Sequence, residues 1–232
     1  MTKAKTAPRT APLVEPEEEL ILPETWRRRP WIPITILVAV LAAVLGAGFA
    51  MDKALQPVVP SQLAGCKTST QVGPHEFVGL QPICIKPDKS YTATLYTTQG
   101  NITIKLHPEY APVTVNNFVI LATHGYYNGL VFWNSESWVV QGGDPGGDGR
   151  GGPGYNLPDE TTTTPWGLGA VGMARVPGGA VNGSQFFIEK GDWPAPGPTA
   201  PYNRFGTVIS GMEKVQLLST SDSIVSVTIK VS

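Results

Sequence analysis

The segment YTATLYTTQGNITIKL, residues 91–106, sets the fold class, because apolar and polar side chains alternate along it on both sides of Gln99 and Gly100. Alternation with a period of two is typical of half-buried β-strands, and a short break containing glycine between two such runs predicts a β-hairpin. The chain is therefore expected to be mainly β.

The segment after the hairpin predicts a helix. In APVTVNNFVILATHG, residues 111–125, Pro112 suits the start of a helix and Gly125 suits its end. Apolar residues between them recur at helical spacing, at Val115, Phe118, Val119 and Ala122. A shorter helix is predicted over 212–218.

Short strands separated by glycine-rich loops are predicted through the rest of the chain. Their ranges are 130–133, 138–141, 168–173, 185–189, 204–209 and 223–231. Many short strands with few helices favour a closed barrel or a sandwich.

The composition of the 232 residues narrows the class of protein further. The chain has 26 Gly and 22 Pro, and charged residues make up 15%, which excludes a coiled coil. The 41% hydrophobic content is enough for a folded core. The net charge of −1 lacks the basic surplus of a nucleic-acid binder, so no nucleic-acid partner is expected.

Residues 30–51 carry no charged side chain. We expect a transmembrane helix over 31–50, since its apolar run spans roughly 28 Å, close to the bilayer core. Arginines 27–29 precede it, so the positive-inside rule predicts a cytoplasmic N-terminus and an extracytoplasmic C-terminal domain. A cleaved signal peptide is the alternative.

This layout predicts four regions. Residues 1–30, rich in Pro, Thr and Glu, are expected to form a disordered cytoplasmic tail, followed by the membrane helix at 31–50. Residues 51–89 are expected to form an extracytoplasmic stalk, and 90–232 a folded domain.

The two cysteines, Cys66 and Cys84, both fall on the predicted extracytoplasmic side, where disulfides form. A disulfide closing this loop would stabilise the fold by about 3 kcal/mol in the chain-entropy model. Two alternatives remain open: LAGC at 63–66 is similar to a lipobox, and the thiols with His75 give an incomplete metal site.

The usual hydrolase and nucleotide-binding motifs are absent from the sequence. Instead, ordered segments resemble the cyclophilin family of peptidyl-prolyl isomerases over about 90–232. They are APVTVNNFVILATHGYYNGLVF (111–132), VVQGGDPGGDGRGGPGY (139–155), DE (159–160), LGAVGMA (168–174), NGSQFFI (182–188) and RFGTVISGM (204–212). The resemblance implies a closed eight-stranded antiparallel barrel capped by two helices, in a membrane-anchored form similar to those of actinobacteria.

The resemblance also implies site residues. Phe187 matches the family's pocket floor, Gln185 its substrate-binding glutamine, and Gln141 the glutamine that supports catalysis. Further substrate-binding positions are expected at Phe132, Trp138, Val139, Ala174 and Tyr202. The chemistry needs no cofactor or metal.

One position departs from the family pattern F-H-R-x-I-x-x-F-x-x-Q, because this chain reads FWNSESWVVQ over 132–141, one residue shorter. Counting from Phe132 places Asn134 where the family has its catalytic Arg, while counting back from Gln141 gives Trp133. Arg175 is not assigned as a replacement. We therefore expect Asn134 to stand in the catalytic position with weakened turnover.

Two functions follow from the resemblance. The first is a monomeric, single-pass membrane isomerase that acts on X–Pro bonds of exported polypeptides at the bacterial cell membrane. The alternative is a non-catalytic module on the same barrel that binds proline-containing segments.

Overall fold

The computed structural model describes residues 59–175, 178–194 and 202–232. The predicted cytoplasmic tail and the predicted membrane helix at 31–50 lie outside these residues. In the described ranges no helix is long and apolar enough to cross a bilayer.

The described chain is built from short strands and two helices. The strands are β1 Gln71–Gly73, β2 Glu76–Phe77, β3 Tyr91–Thr97, β4 Gly100–Leu106, β5 Asn134–Ser135, β6 Val139–Gly142, β7 Asn156–Leu157, β8 Ala170–Arg175, β9 Val181–Glu189, β10 Arg204–Ser210 and β11 Ile224–Val231. The helices are α1 Pro112–Thr123 and α2 Met212–Leu217, and a short 3-10 turn covers Ser61–Leu63. The mainly β prediction with two helices is confirmed.

The main sheet has nine antiparallel strands in the order β11-β3-β4-β10-β8-β9-β6-β5, with β7 paired to β9. The expectation of a closed eight-stranded barrel is therefore wrong: the sheet is an open half-barrel. Strand β5 is two residues long and pairs with β6. Where β5 and β11 would have to join, the structure has an isolated bridge between Val131 and Ser223 instead of a ladder.

The predicted hairpin forms, with its turn one residue earlier than the alternation suggested. Strands β3 and β4 pair from Tyr91 opposite Leu106 to Thr97 opposite Gly100, which leaves Thr98 and Gln99 in the turn. The Thr97 hydroxyl donates to the Gly100 carbonyl oxygen at 2.7 Å and closes it.

Helix α1 lies in the core. Its predicted stripe is fully buried, but the flanking polar residues from Thr114 to Thr123 are buried as well. The segment before the domain covers Asn116, whose side chain accepts from the Cys84 amide at 2.7 Å and donates to the Pro82 carbonyl at 3.0 Å. Thr114 is bound instead by Glu160, and Asn117 donates to the Gly183 carbonyl at 2.7 Å.

Residues 59–89, expected to form a stalk, pack onto the sheet and α1. Leu63 and Phe77 are buried in the same cluster as the barrel residues. The structure joins Cys66 and Cys84 in a disulfide, with Cα atoms 5.7 Å apart. This segment therefore contributes apolar burial and a cross-link to the domain.

Asp222 ties the β3–β4 turn to the segment that precedes β11. Its carboxylate accepts from the Thr98 hydroxyl at 2.6 Å, the Gln99 amide at 2.9 Å and the Ser219 hydroxyl at 2.8 Å. Burial opposes ionisation, but these hydrogen bonds outweigh it and lower the pKa of Asp222 to about 2.

We predict that Asp222→Asn lowers the free energy of unfolding by about 2–3 kcal/mol at pH 7, because hydrogen bonds to a buried charge are lost. A carboxylate with a lowered pKa stabilises the fold above its unfolded pKa of about 4. The difference between wild type and variant should therefore shrink as the pH falls from about 4 to 2. Urea titrations at several pH values measure this, with the exposed Asp88→Asn as control; a constant difference down to pH 2 would contradict it.

Candidate active site

Side chains alternate along each strand between the core face of the sheet and its opposite face, which is also partly buried. On β9, Phe186 and Ile188 belong to the core cluster, so Gln185 and Phe187 project from the opposite face. On β6, Val140 belongs to the core, which places Gln141 on the face of Phe187, its cross-strand partner.

This outer face carries a cavity of about 120 Å³. It is lined by Trp133, Trp138, Gln141, Gly149, Ala174, Arg175, Asn182, Gln185, Phe187, Trp193 and Tyr202. Six of the side chains singled out from the sequence therefore meet at one place: Trp138, Gln141, Ala174, Gln185, Phe187 and Tyr202.

Three expected site residues lie elsewhere. Phe132 is fully buried in the hydrophobic core, and its ring lies against Gly142 of β6, so it does not line the cavity as expected. Val139 is fully buried opposite Glu189 in the β6–β9 ladder, and it does not line the cavity. Asn134 lies on β5, next to the cavity.

Aromatic rings enclose Phe187, whose side chain is 2% exposed. The centroids of Trp166 and Tyr202 each lie 5.3 Å from that of Phe187, and Trp193 lies at 5.7 Å. Trp193 also contacts Trp138 at 4.5 Å. A small apolar ring bound in this enclosure would be in contact with aromatic side chains on several sides.

Amide groups form the polar wall. The side chains of Gln185 and Asn182 both donate to the Gly151 carbonyl oxygen, at 2.8 and 3.0 Å. The side-chain oxygen of Asn182, Oδ1, accepts from the backbone amide of Gln185 at 2.9 Å. Gln185 is thus held in a fixed orientation before any substrate binds.

The glycine-rich loop 143–154 reaches the cavity because it folds around the buried carboxylate of Asp144. This carboxylate accepts from the backbone amides of Gly146 at 2.9 Å, Asp148 at 3.0 Å and Gly149 at 2.6 Å. Burial alone would raise the pKa of Asp144, but the backbone hydrogen bonds lower it below its ordinary value.

Gly149, at φ +82°, lies against the Trp133 ring, and a Cβ there would come within 2.8 Å of Trp133 Cζ3. The glycine lets the loop approach Trp133 and form this side of the cavity.

We predict that Asp144→Asn weakens binding of a proline-containing peptide about tenfold at pH 7, because the loop loses charge-assisted hydrogen bonds. The lowered pKa keeps this carboxylate ionised at its ordinary value of about 3.9, so the difference from wild type should persist to that pH and shrink only as the pH falls further. Peptide titrations followed by NMR measure it. Asp148→Asn is the control, since Asp148 is exposed in the same loop; equal affinities for wild type and Asp144→Asn would contradict the role of the loop.

Asn134 is the Cα partner of Gln141 in the β5–β6 ladder. Its Nδ2 lies 3.5 Å from Glu136 Oε1, and Glu136 Oε2 accepts from the Trp138 indole at 2.8 Å. Directly paired residues project to the same face of a sheet, so Asn134 lies on the cavity side.

Arg175, left unassigned from the sequence, lines the cavity. Its Nη2 pairs with Asp159 at 2.6 Å, and its Nε donates to the Gly179 carbonyl at 3.1 Å. Its side chain is 10% exposed. The cavity therefore has a guanidinium at its wall, already engaged by a carboxylate and a backbone carbonyl.

Sequence reasoning missed several cavity residues: Trp133, Gly149, Arg175, Asn182 and Trp193. Trp193 lies in the loop after β9 and packs against Phe187. No sequence periodicity predicts such a contact from a loop residue. Asn182 lies three residues before Gln185, so simple alternation would place the two side chains on opposite faces; the β8–β9 register shifts between them, and both line the cavity. The described residues contain no group of three or more His, Cys, Asp or Glu placed to hold a metal.

A larger groove of about 620 Å³ lies away from this face, between residues 83–90 and 105–112. Its lining combines exposed Ile83 with four charged residues, Asp88, Lys89, Lys105 and Glu109. It contains neither the aromatic floor nor the amide wall, so the smaller cavity is the candidate site.

Comparison with known proteins identifies the family. The family profile "Cyclophilin type peptidyl-prolyl cis-trans isomerase/CLD" matches residues 92–231. Peptidyl-prolyl cis-trans isomerase B of Bacillus subtilis is 43% identical over 127 residues, which cover 53% of this chain and 87% of the relative. A peptidyl-prolyl cis-trans isomerase of Dictyostelium discoideum is 41% identical over 134 residues, covering 55% and 84%.

A solved structure has the same architecture. The crystal structure of a cyclophilin-type isomerase from Cryptosporidium parvum superposes with a TM-score of 0.55 at 28% identity, covering 61% of this chain and 98% of that one. The half-barrel, the cavity and the matched profile lead to one conclusion: the chain belongs to the cyclophilin-type peptidyl-prolyl cis-trans isomerases.

Proposed function

We propose that this isomerase acts on X–Pro bonds of exported polypeptides, with turnover weakened because Asn134 stands where the family has its catalytic Arg. The observation that carries the proposal is the Phe187 floor, which shares one face with Gln141, Gln185 and Asn134.

The reaction needs no covalent chemistry. Rotation about the X–Pro bond is opposed by amide resonance, with a barrier of about 18–20 kcal/mol. A catalyst must hold the proline ring and stabilise the twisted amide more than the planar one. In our proposal, the ring sits on Phe187 between the aromatic walls, and Gln185 holds a neighbouring backbone carbonyl.

The remaining step is donation to the prolyl nitrogen, whose lone pair is available in the twisted state. Asn134 is a neutral donor, and charge-assisted hydrogen bonds are roughly twice as strong as neutral ones. Gln141, paired with Asn134 across the ladder, would orient that donor. A neutral amide in this position supports the proposal of slower turnover.

The location of the substrate polypeptides is inferred from the N-terminal sequence. The uncharged run at 30–51, preceded by three arginines, supports a single-pass anchor with the isomerase domain outside the cytoplasm. The Cys66–Cys84 disulfide also supports an oxidising compartment. Protease accessibility of the domain in intact cells tests this arrangement: protection until the membrane is permeabilised would contradict it.

The second candidate function is a non-catalytic module that binds proline-containing segments, and the missing Arg at position 134 favours it. Exchange spectroscopy on an Ala-Pro peptide, with the full chain in mild detergent, separates the two. We expect saturable binding together with faster cis–trans exchange. Saturable binding with the uncatalysed exchange rate would establish the binding module, and no binding at all would refute both.

A further inference from the structure

Trp166 contacts the pocket floor without lining the cavity. Its ring stacks on Phe187, with centroids 5.3 Å apart and planes inclined by 29°. Trp193 and Tyr202, which do line the cavity, meet Phe187 edge-on at 89° and 79°. Trp166 is therefore placed to restrain the plane of the Phe187 ring.

Gly172 provides the space for this stacking. It pairs with Phe187 across the β8–β9 ladder. A Cβ at this position would lie 2.6 Å from Trp166 Cη2 and 2.7 Å from Phe187 Cζ. Any larger residue would push the two rings away from their present positions.

Two buried charged residues hold the loop that carries Trp166. Arg204 Nη1 donates to the Pro165 carbonyl at 2.6 Å. Glu189, two residues beyond Phe187 on the same face, is 2% exposed. Its backbone carbonyl oxygen accepts from the Gly169 amide at 2.9 Å, and the charge of Arg204 stabilises its carboxylate. The residues on both sides of Trp166 are thus attached to the sheet beside Phe187.

Glu189 also faces the Trp193 indole. Its Oε2 and the Trp193 Nε1 are both buried, and the two groups fall short of a well-formed hydrogen bond. Burying a carboxylate is costly and raises the pKa of Glu189.

We propose that Trp166 is a positioning residue for the proline pocket, fixing the ring of Phe187 while Glu189 and Arg204 hold the Trp166 loop. The proposal rests on the proposed function, in which Phe187 is the floor for the proline ring. A floor fixed before the substrate arrives avoids the cost of ordering a side chain on binding.

The test compares Trp166→Ala with Trp166→Phe, which keeps a stacking ring, and with Leu168→Ala. Leu168 belongs to the same loop and is 62% exposed, so its truncation is the matched control. For an Ala-Pro peptide we expect Trp166→Ala to raise Kd and KM by about tenfold with little change in kcat. Trp166→Phe should restore most of the affinity, and Leu168→Ala should match wild type.

The motion of the Phe187 ring can also be measured in the protein without peptide, which tests the positioning role independently of activity. Aromatic ¹³C NMR should show the Phe187 ring in slow or restricted motion in wild type and Trp166→Phe, and in fast flipping in Trp166→Ala. If wild type neither binds nor turns over the peptide, the proposed function fails, while the ring signals still test the positioning role. If ring motion and Kd are unchanged in Trp166→Ala, the positioning role is refuted.

A purely structural role predicts a different result. It would lower Tm and the active fraction, and so reduce apparent kcat at constant KM. If Trp166→Ala does not fold, Trp166→Leu keeps apolar volume without a stacking face and should show the same rise in Kd; wild-type affinity in Trp166→Leu would overturn the proposal.

Discussion

Replacing Phe187 by alanine is expected to lower kcat/KM on an Ala-Pro peptide by on the order of 10²-fold, and to weaken binding by a similar factor. Truncating an aromatic side chain that anchors a bound partner costs on the order of 2–4 kcal/mol of binding free energy, and about 2.8 kcal/mol is 10²-fold in affinity. The ring is in contact with the proline in both the planar and the twisted state, so binding and turnover should fall together.

The measurement is a peptide titration and an exchange experiment on the same samples. Because Phe187 is 2% exposed, the alanine variant is also expected to unfold more easily. Phe187→Leu is the control, since it keeps most of the apolar volume and should retain the fold with a smaller loss of affinity. Wild-type affinity in a folded Phe187→Ala variant would show that the proline ring binds elsewhere.

The elements that depend on local sequence were predictable. Alternation from Tyr91 to Leu106 is sufficient for the hairpin, and Pro112 and Gly125 bound the first helix within two residues. The closed barrel was wrong because closure depends on register and on contacts between distant segments. A two-residue strand at Asn134–Ser135 cannot extend a ladder to β11, and no local pattern reveals that.

The burial of two residues in the predicted stalk segment could not be predicted from the sequence either. Leu63 and Phe77 are isolated apolar residues in a Pro- and Gly-rich segment without periodicity. Their burial depends on α1, whose Asn116 binds the incoming backbone at Cys84. A contact between a side chain and a backbone group this far away in the sequence produces no regular residue spacing, so the sequence pattern does not predict it.

In the site, Gln141, Gln185 and Phe187 lie within regular strands and were predicted, whereas Arg175 and Asn182 lie near strand ends and were missed, as was Trp193 on a loop. Gln141 and Phe187 are cross-strand partners, so the pleat alone brings them to one face. Phe132 precedes β5 and is fully buried in the core cluster, which the sequence pattern did not indicate. Trp166 and Trp193 reach the floor from loops, and the space for Trp166 exists because position 172 is glycine.

The position of Asn134 leads to the second large effect. Sequence counting left either Trp133 or Asn134 in the place of the family's Arg, and the ladder pairs Asn134 with Gln141. An arginine at 134 would therefore start on the cavity side of the sheet, beside Gln141. Glu136 is the competing partner, since its carboxylate lies 3.5 Å from the Asn134 amide nitrogen.

We predict that Asn134→Arg raises kcat on an Ala-Pro peptide by on the order of 10-fold to 10²-fold, because removing a key transition-state donor typically costs 10²–10³ in rate. Peptide affinity should change by less than about threefold, since a donor to the prolyl nitrogen acts mainly in the twisted state. Adding Glu136→Gln removes the competing carboxylate while keeping an acceptor for Trp138, and should increase the gain. The matched control is Asn134→Lys, which supplies the charge without the planar, bidentate donor.

A result with Arg175 variants could contradict the proposed role of position 134. The Arg175 guanidinium is held by Asp159 and the Gly179 carbonyl at the cavity wall, so in our interpretation it shapes the site and does not donate to the prolyl nitrogen. We therefore expect Arg175→Gln to change peptide affinity more than kcat. If wild-type turnover instead equals that of an Arg-containing relative, and Arg175→Gln abolishes it, then Arg175 supplies the charge and Asn134→Arg should bring no gain. Measuring exchange rates for wild type and these variants side by side decides which residue stabilises the twisted amide.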